Sequence, residues 1–278
     1  MEGKKKFFES LEPKSALIVG LVTGILTLCT IGFVILLFVV LGNKATAKNP
    51  STETVAANNP AQAENTPATT APKSDRPIVE LFVMSYCPYG LQMEKAFLPA
   101  MELLKGKADL SIKFVSYAMH DLKEVAENTR QYCIETEQAD KFIPYMECFT
   151  GKDDYKGCLA TVGVNEGKMN TCVNATNKKY GTIDKYNDQK TWLNGRFPVY
   201  PVHQDLNDKY GVQGSPTLII NGVESSAGRT PEAVKQAICV AFNNQPGECQ
   251  TTLDTAATSP GFGVSTGGNA TAGAACGN

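Results

Sequence analysis

Nine cysteines are spread along this 278-residue chain, and the position of one of them suits thiol chemistry. A cysteine attacks disulfides as its thiolate, which a positive local field favours. Cys87 stands in Ser85-Tyr86-Cys87-Pro88-Tyr89-Gly90, between the apolar run PIVELFVMSY and a helical pattern that begins near Pro88. Proline is tolerated in a first helical turn because its missing N–H needs no partner there. A cysteine at such a junction faces unpaired backbone N–H groups and the positive end of the helix dipole, and both stabilise thiolate. A second local feature is Gly214-Ser215-Pro216-Thr217, directly ahead of the apolar TLIIN. A central strand rejects proline, so a cis peptide between Ser215 and Pro216 in a tight bend is expected.

The other cysteines read differently. None forms a CxxC pair, their spacing matches no zinc ribbon, and only two histidines, His120 and His203, are present. No metal site and no cofactor are expected, and the histidines read as surface or capping residues. Cys29 lies in the apolar N-terminal stretch. Cys133, Cys148, Cys158, Cys172, Cys239 and Cys249 read as structural disulfides, which persist in an oxidising compartment. Cys239 and Cys249, on either side of Pro246-Gly247, are taken as one pair, and the remaining four leave their pairing open. Cys276 is then left over with Cys87. A Gly-rich chain of the length that separates it from Cys249 spans roughly 25–30 Å, so Cys276 could reach Cys87 and act as a resolving thiol. An unpaired terminal thiol, or a link between two chains, are the alternatives.

The elements that must position Cys87 follow from periodicity. Residues 77–86 suit a buried strand. Leu91, Phe97, Leu98, Met101 and Leu104 fall at helical spacing, and 110–118 alternates as a second strand. Helix-and-loop sequence fills about 121–195. A short helix at Asp205–Tyr210, a strand at 217–221, an Asn221-Gly222 turn and a strand from Val223 follow. A closing helix runs from Pro231 to about Asn243, with Thr230 as its N-cap. The order β-α-β, helical insertion, β-β-α makes an α/β domain over 77–250.

Outside that domain, residues 15–42 carry no charge and suit one transmembrane helix, being longer than a signal-peptide core. Lys4, Lys5, Lys6 and Lys14 favour a cytoplasmic N-terminus over 1–14, with everything beyond the span outside. Residues 43–76 read as a flexible linker, and 251–278 as a disordered Gly/Ala-rich tail. A net charge of -2 without basic clusters beyond the N-terminus excludes nucleic acid as a natural partner.

Together YCPYG and GVQGSPTLIING resemble the thioredoxin superfamily, in which a Cys-Pro-x-Cys-type motif follows the first strand beside a cis-proline. The helical insertion is similar to the DsbA-type branch. FIPYMEC, Cys158, Cys172 and AICVAFNNQPGEC resemble the gamma-interferon-inducible lysosomal thiol reductases, and the plant vacuolar sorting receptors carry a similar proline loop and terminal cysteine pair. The resemblance implies a thioredoxin-like fold. It also implies Cys87 as nucleophile, Pro88, Tyr89 and Gly90 as the rest of its loop, and Ser215-Pro216 as the edge that docks substrate backbone. The chain departs from the family where Gly90 replaces the second cysteine and Leu81 stands six residues before Cys87. The expectation is therefore a membrane-anchored, extracytoplasmic thiol–disulfide oxidoreductase using a single nucleophilic cysteine on protein thiols or disulfides. A redox-inert binding module on the same frame is the alternative.

Overall fold

Strand β1 (Ile78–Val83) is buried except at Ile78, as a near-continuous apolar run between helices requires. Val79, Leu81 and Val83 point into the main core, while Phe82 joins a second cluster on the opposite face with Met84, Cys87, Val115 and Ile219. The structure is a computed structural model that describes residues 71–263 and 275–277. The span expected over 15–42 and Cys29 lie outside the described residues. Among the described residues no helix is long and apolar enough to cross a membrane.

Strand β1 pairs in parallel with β2 (Asp109–Phe114) and antiparallel with β4 (Thr217–Ile220), which pairs antiparallel with β5 (Val223–Ser225). The sheet order is β2-β1-β4-β5. Helix α1 (Pro88–Leu103) makes the crossover that a parallel pair needs. Helix α8 (Pro231–Cys239), capped by the Thr230 hydroxyl accepting the Ala233 N–H at 3.0 Å, packs on α1. With a cis peptide at Ser215–Pro216 ahead of β4, this is the mixed α/β, thioredoxin-like arrangement that the sequence resemblance implies.

Between the two halves lie α2 (Asp121–Glu137), α3 (Ala139–Lys152), α4 (Tyr155–Val162), α5 (Glu166–Tyr180) and α6 (Thr182–Asn187). Disulfides staple this layer: Cys133–Cys172 joins α2 to α5 and Cys148–Cys158 joins α3 to α4. Cys239–Cys249 ties the end of α8 to the turn after it. Helix α7 (Gln204–Tyr210) precedes the proline loop.

Several expectations need correction. Strand β2 ends at Phe114 rather than 118, because the backbone beyond it turns to other partners: the Ser116 N–H to Asn207 Oδ1 and the Tyr200 N–H to the Ser116 carbonyl. Helix α8 stops short of Asn243, since Ala241 and Asn243 bond their backbones to Ser74. His203 is buried rather than at the surface. Its Nδ1 accepts the Phe114 N–H at 3.0 Å, its ring stacks on Phe114, and burial holds its pKa down at about 3, so it is neutral.

The tail is the largest difference. Residues 251–263 are packed onto the domain, not disordered. Thr258 Oγ1 donates to the Gln92 carbonyl at 2.7 Å and Gln92 Nε2 donates to the Thr258 carbonyl at 2.6 Å. The Lys95 ammonium donates to Ser259 Oγ and to the carbonyls of Gly261 and Gly263. Phe262 sits edge-on to Tyr86 and Phe149, with ring centroids 5.6 and 5.3 Å apart. A low-complexity composition hid these contacts because the partners come from elsewhere in the fold: Gln92 and Lys95 on α1, the Arg229 carbonyl, Glu232 on α8 and the rings of Tyr86 and Phe149. Replacing Phe262 with Ala is expected to lower the stability of the oxidised protein by about 1–3 kcal/mol. Denaturant midpoints measure this, and an unshifted midpoint would remove the ring from the packed core.

Candidate active site

The backbone from Met84 to Cys87 leaves a strand and enters a helix, buried except at the half-buried Tyr86, and each N–H along it finds a partner. Met84 donates to Ser215 Oγ at 2.9 Å, Ser85 to Asn128 Oδ1 at 3.1 Å, Tyr86 to Glu124 Oε2 at 3.3 Å and Cys87 to the Met84 carbonyl at 2.9 Å. Cys87 is the N-cap of α1. Its backbone is extended, its carbonyl accepts the Leu91 N–H, and its Sγ accepts the Gly90 N–H at 3.4 Å. The sulfur thus lies in the positive field of a helix start, and a negative charge on it would be stabilised there.

Ser215 places the proline loop against this junction. It is buried, its carbonyl oxygen lies 3.4 Å from Cys87 Sγ, and Pro216 follows through the cis bond. Pro88 is exposed at the first turn of α1. Tyr89 is half-buried, with the Arg229 guanidinium 5.6 Å from its ring centre, and Arg229 also donates to Gln92 Oε1 at 2.8 Å. Cys87, Gly90, Ser215 and Pro216 are thus brought together, with Pro88 and Tyr89 on the rim.

Two features of the site matter. Of the alternatives for Cys276, the structure shows the pairing: Cys87 is bonded to Cys276, 189 residues away in sequence, with Cα atoms 6.1 Å apart. Cys276 and Gly277 form β6 (Cys276–Gly277), antiparallel to β3 (Gly214–Ser215), with Ser215 opposite Cys276 and Gly214 opposite Gly277. Gly90 has a steric reason to lack a side chain. A Cβ there would lie 2.6 Å from Ser215 Oγ and 3.0 Å from the Met84 carbonyl oxygen, and that hydroxyl is already fixed by the Met84 N–H. A second cysteine has no room at the helix start; the disulfide partner comes from the tail.

Sequence reasoning missed the residues behind the loop. Glu124 and Asn128, fully buried one turn apart on α2, hold the Ser85 and Tyr86 amides, and Glu124 also accepts the Met119 N–H at 2.7 Å and meets His120 Nδ1 at 2.6 Å. The signal available was a polar stripe, Glu124, Asn128 and Gln131, at helical spacing in a helix that must pack against the core. Among the described residues, no group of His, Cys, Asp or Glu could hold a metal ion.

No family model matches this chain, and no curated protein does. The solved structures it resembles include reduced DsbA from Mycobacterium tuberculosis (19% identity, TM-score 0.45, 65% of this chain and 92% of that chain). Reduced DsbG from the same organism gives 19% identity, a TM-score of 0.44, and coverage of 65% and 88%. Oxidised BdbD from Bacillus subtilis gives 19% identity, a TM-score of 0.39, and coverage of 63% and 92%.

One buried acid lies two turns along the same helix. Glu94 is fully buried, neither carboxylate oxygen has a hydrogen-bond partner among the described residues, and burial pushes its pKa up to about 8 against the opposing pull of Lys95. A carboxyl whose folded-state pKa is raised binds its proton more tightly in the folded chain. Its contribution is therefore fully present below the unfolded value near 4.5 and is lost as pH rises through about 8. Stability should fall by up to about 1.4 kcal/mol per pH unit in that window. Glu94→Gln is expected to flatten this fall; unfolding midpoints from pH 4 to 9 that stay parallel in the two proteins would rule it out.

Proposed function

We propose that this chain is a membrane-tethered thiol–disulfide oxidoreductase acting on protein thiols and disulfides outside the cytoplasm, with Cys87 and Cys276 as its redox pair. The observation that carries this reading is the Cys87 sulfur itself. It sits at the start of α1, beside the cis-proline loop, and it is bonded to a cysteine from a separate stretch of chain. The uncharged run over 15–42, with lysines ahead of it, supports the tether and the orientation. The three further disulfides suit an oxidising compartment.

The chemistry balances as an exchange. In the reduced chain the Cys87 thiolate, held by the Gly90 N–H and the helix start, attacks a substrate disulfide. One substrate sulfur bonds to Cys87 and the other leaves as thiolate. The Cys276 thiolate then attacks the Cys87 sulfur of the mixed disulfide, releases the second substrate thiol and re-forms the Cys87–Cys276 bond. The substrate disulfide is reduced to two thiols, the protein dithiol is oxidised to a disulfide, and the reverse sequence oxidises a substrate dithiol. Gly90 supported a redox-inert module only while Cys87 lacked a partner, and the tail supplies one.

Cys276→Ser is expected to leave Cys87 able to form mixed disulfides that accumulate, whereas Cys87→Ser abolishes exchange. Thiol trapping and mass spectrometry on the full chain, reacted with a peptide that carries an intramolecular disulfide, read both. A Cys87 that stays unreactive in Cys276→Ser would return the chain to the binding-module reading. Protease added to intact cells should release the domain beyond residue 76, and protection would refute the outward topology.

A further inference from the structure

We infer that the terminal strand is docked in the active site as a substrate strand would be, and that the site selects a cysteine followed by glycine. This rests on the exchange activity proposed above and names its substrate class. Cys276 and Gly277 lie antiparallel to Gly214 and Ser215, so the backbone that carries the sulfur bonded to Cys87 is held in register by the proline loop. Any peptide whose cysteine reaches Cys87 along the same edge must place its next residue where Gly277 lies.

Two independent features restrict that place. Gly277 has φ +107°, in a region that side chains of ordinary handedness rarely adopt. A Cβ built on it would also collide with the Tyr117 hydroxyl, and would lie 2.8 Å from the Gln213 carbonyl oxygen and 2.9 Å from Gly214 Cα. That hydroxyl cannot swing aside freely, because it donates to the Gln213 carbonyl at 2.6 Å and its ring lies against Phe197. The wall is rigid on both counts. Across the strand, a Cβ on Gly214 would strike the Cys276 carbonyl, so the loop itself is trimmed to let the docked backbone approach.

The position before the cysteine is treated in the opposite way. Ala275 lines a groove of about 390 Å³ shared with Met93, Thr217, Glu224 and Arg229. The site therefore admits varied residues ahead of the cysteine and glycine after it. The tail, Ala275-Cys276-Gly277, satisfies this rule within the chain.

The test uses full-length Cys276→Ser protein, in which Cys87 is a free thiol. It is reacted with two peptides, Ala-Cys-Gly-Asn and Ala-Cys-Ala-Asn, each carrying its cysteine as a 2-pyridyl mixed disulfide. The Cys87 thiolate attacks the peptide sulfur, pyridine-2-thione leaves and is read by absorbance, and the protein–peptide disulfide is read by mass. The glycine peptide is expected to react at least tenfold faster. Rates within twofold of each other overturn the selectivity while leaving the exchange reading intact, and no reaction with either peptide overturns the exchange reading instead. A second arm keeps Cys276 and changes Gly277→Ala. Its Cys87–Cys276 bond is expected to open at a dithiothreitol ratio at least tenfold lower than in the unaltered chain. An unchanged ratio would also overturn the inference.

Discussion

A buried N–H left without a partner costs about 1–3 kcal/mol, and the Met84–Cys87 junction takes four backbone N–H groups from strand to helix. Three sides satisfy them: Ser215 Oγ from the proline loop, Asn128 and Glu124 from α2, and the Met84 carbonyl from the turn itself. This requirement fixes where the cis-proline loop and α2 must lie relative to β1. It also fixes the Cys87 sulfur, since only this path of the backbone delivers Cys87 as the N-cap of α1.

The position of the second thiol follows from the same constraint. Ser215 Oγ is committed to the Met84 N–H and stands where a side chain at residue 90 would go. The Gly90 amide donates to the Cys87 sulfur, and a Cβ at residue 90 would meet Ser215 Oγ and the Met84 carbonyl. The disulfide partner arrives opposite Ser215, as a strand. Gly90 and Cys276 are in this sense two consequences of one hydroxyl's hydrogen bond.

Much of the frame was legible in sequence because it rests on local rules. The apolar run at β1, Pro88 in the first turn, the proline ahead of TLIIN and the Asn221-Gly222 turn each carry a short-range steric or hydrogen-bonding reason. Glu124, Asn128 and the packed segment 251–263 were not legible. Their partners are backbone groups and a lysine brought near only by the fold, so polar residues there look the same as polar residues facing water. His203 was misread for the same reason: its partner is the Phe114 amide. Spacing left Cys276 open among pairing with Cys87, a terminal thiol and a chain link, because the distance a tail can reach does not say where it docks.

The packed segment changes how that tail behaves as a thiol. Phe262 is held against Tyr86, the residue before Cys87, and Lys95 holds Gly261 and Gly263. Only about a dozen residues separate Gly263 from Ala275. When the Cys87–Cys276 bond opens, Cys276 is returned by a tether that starts beside the site rather than at Cys249. Groups joined through a short stretch of one chain can meet at effective concentrations in the millimolar range. External thiols below that level compete poorly with Cys276 for the same sulfur. The anchoring of 251–263 therefore sets how readily the pair re-forms, and the strand contacts of Gly277 set how well it stays formed. In the proposed exchange, a substrate that displaces the tail would have to match those contacts at a concentration that rivals a group already attached.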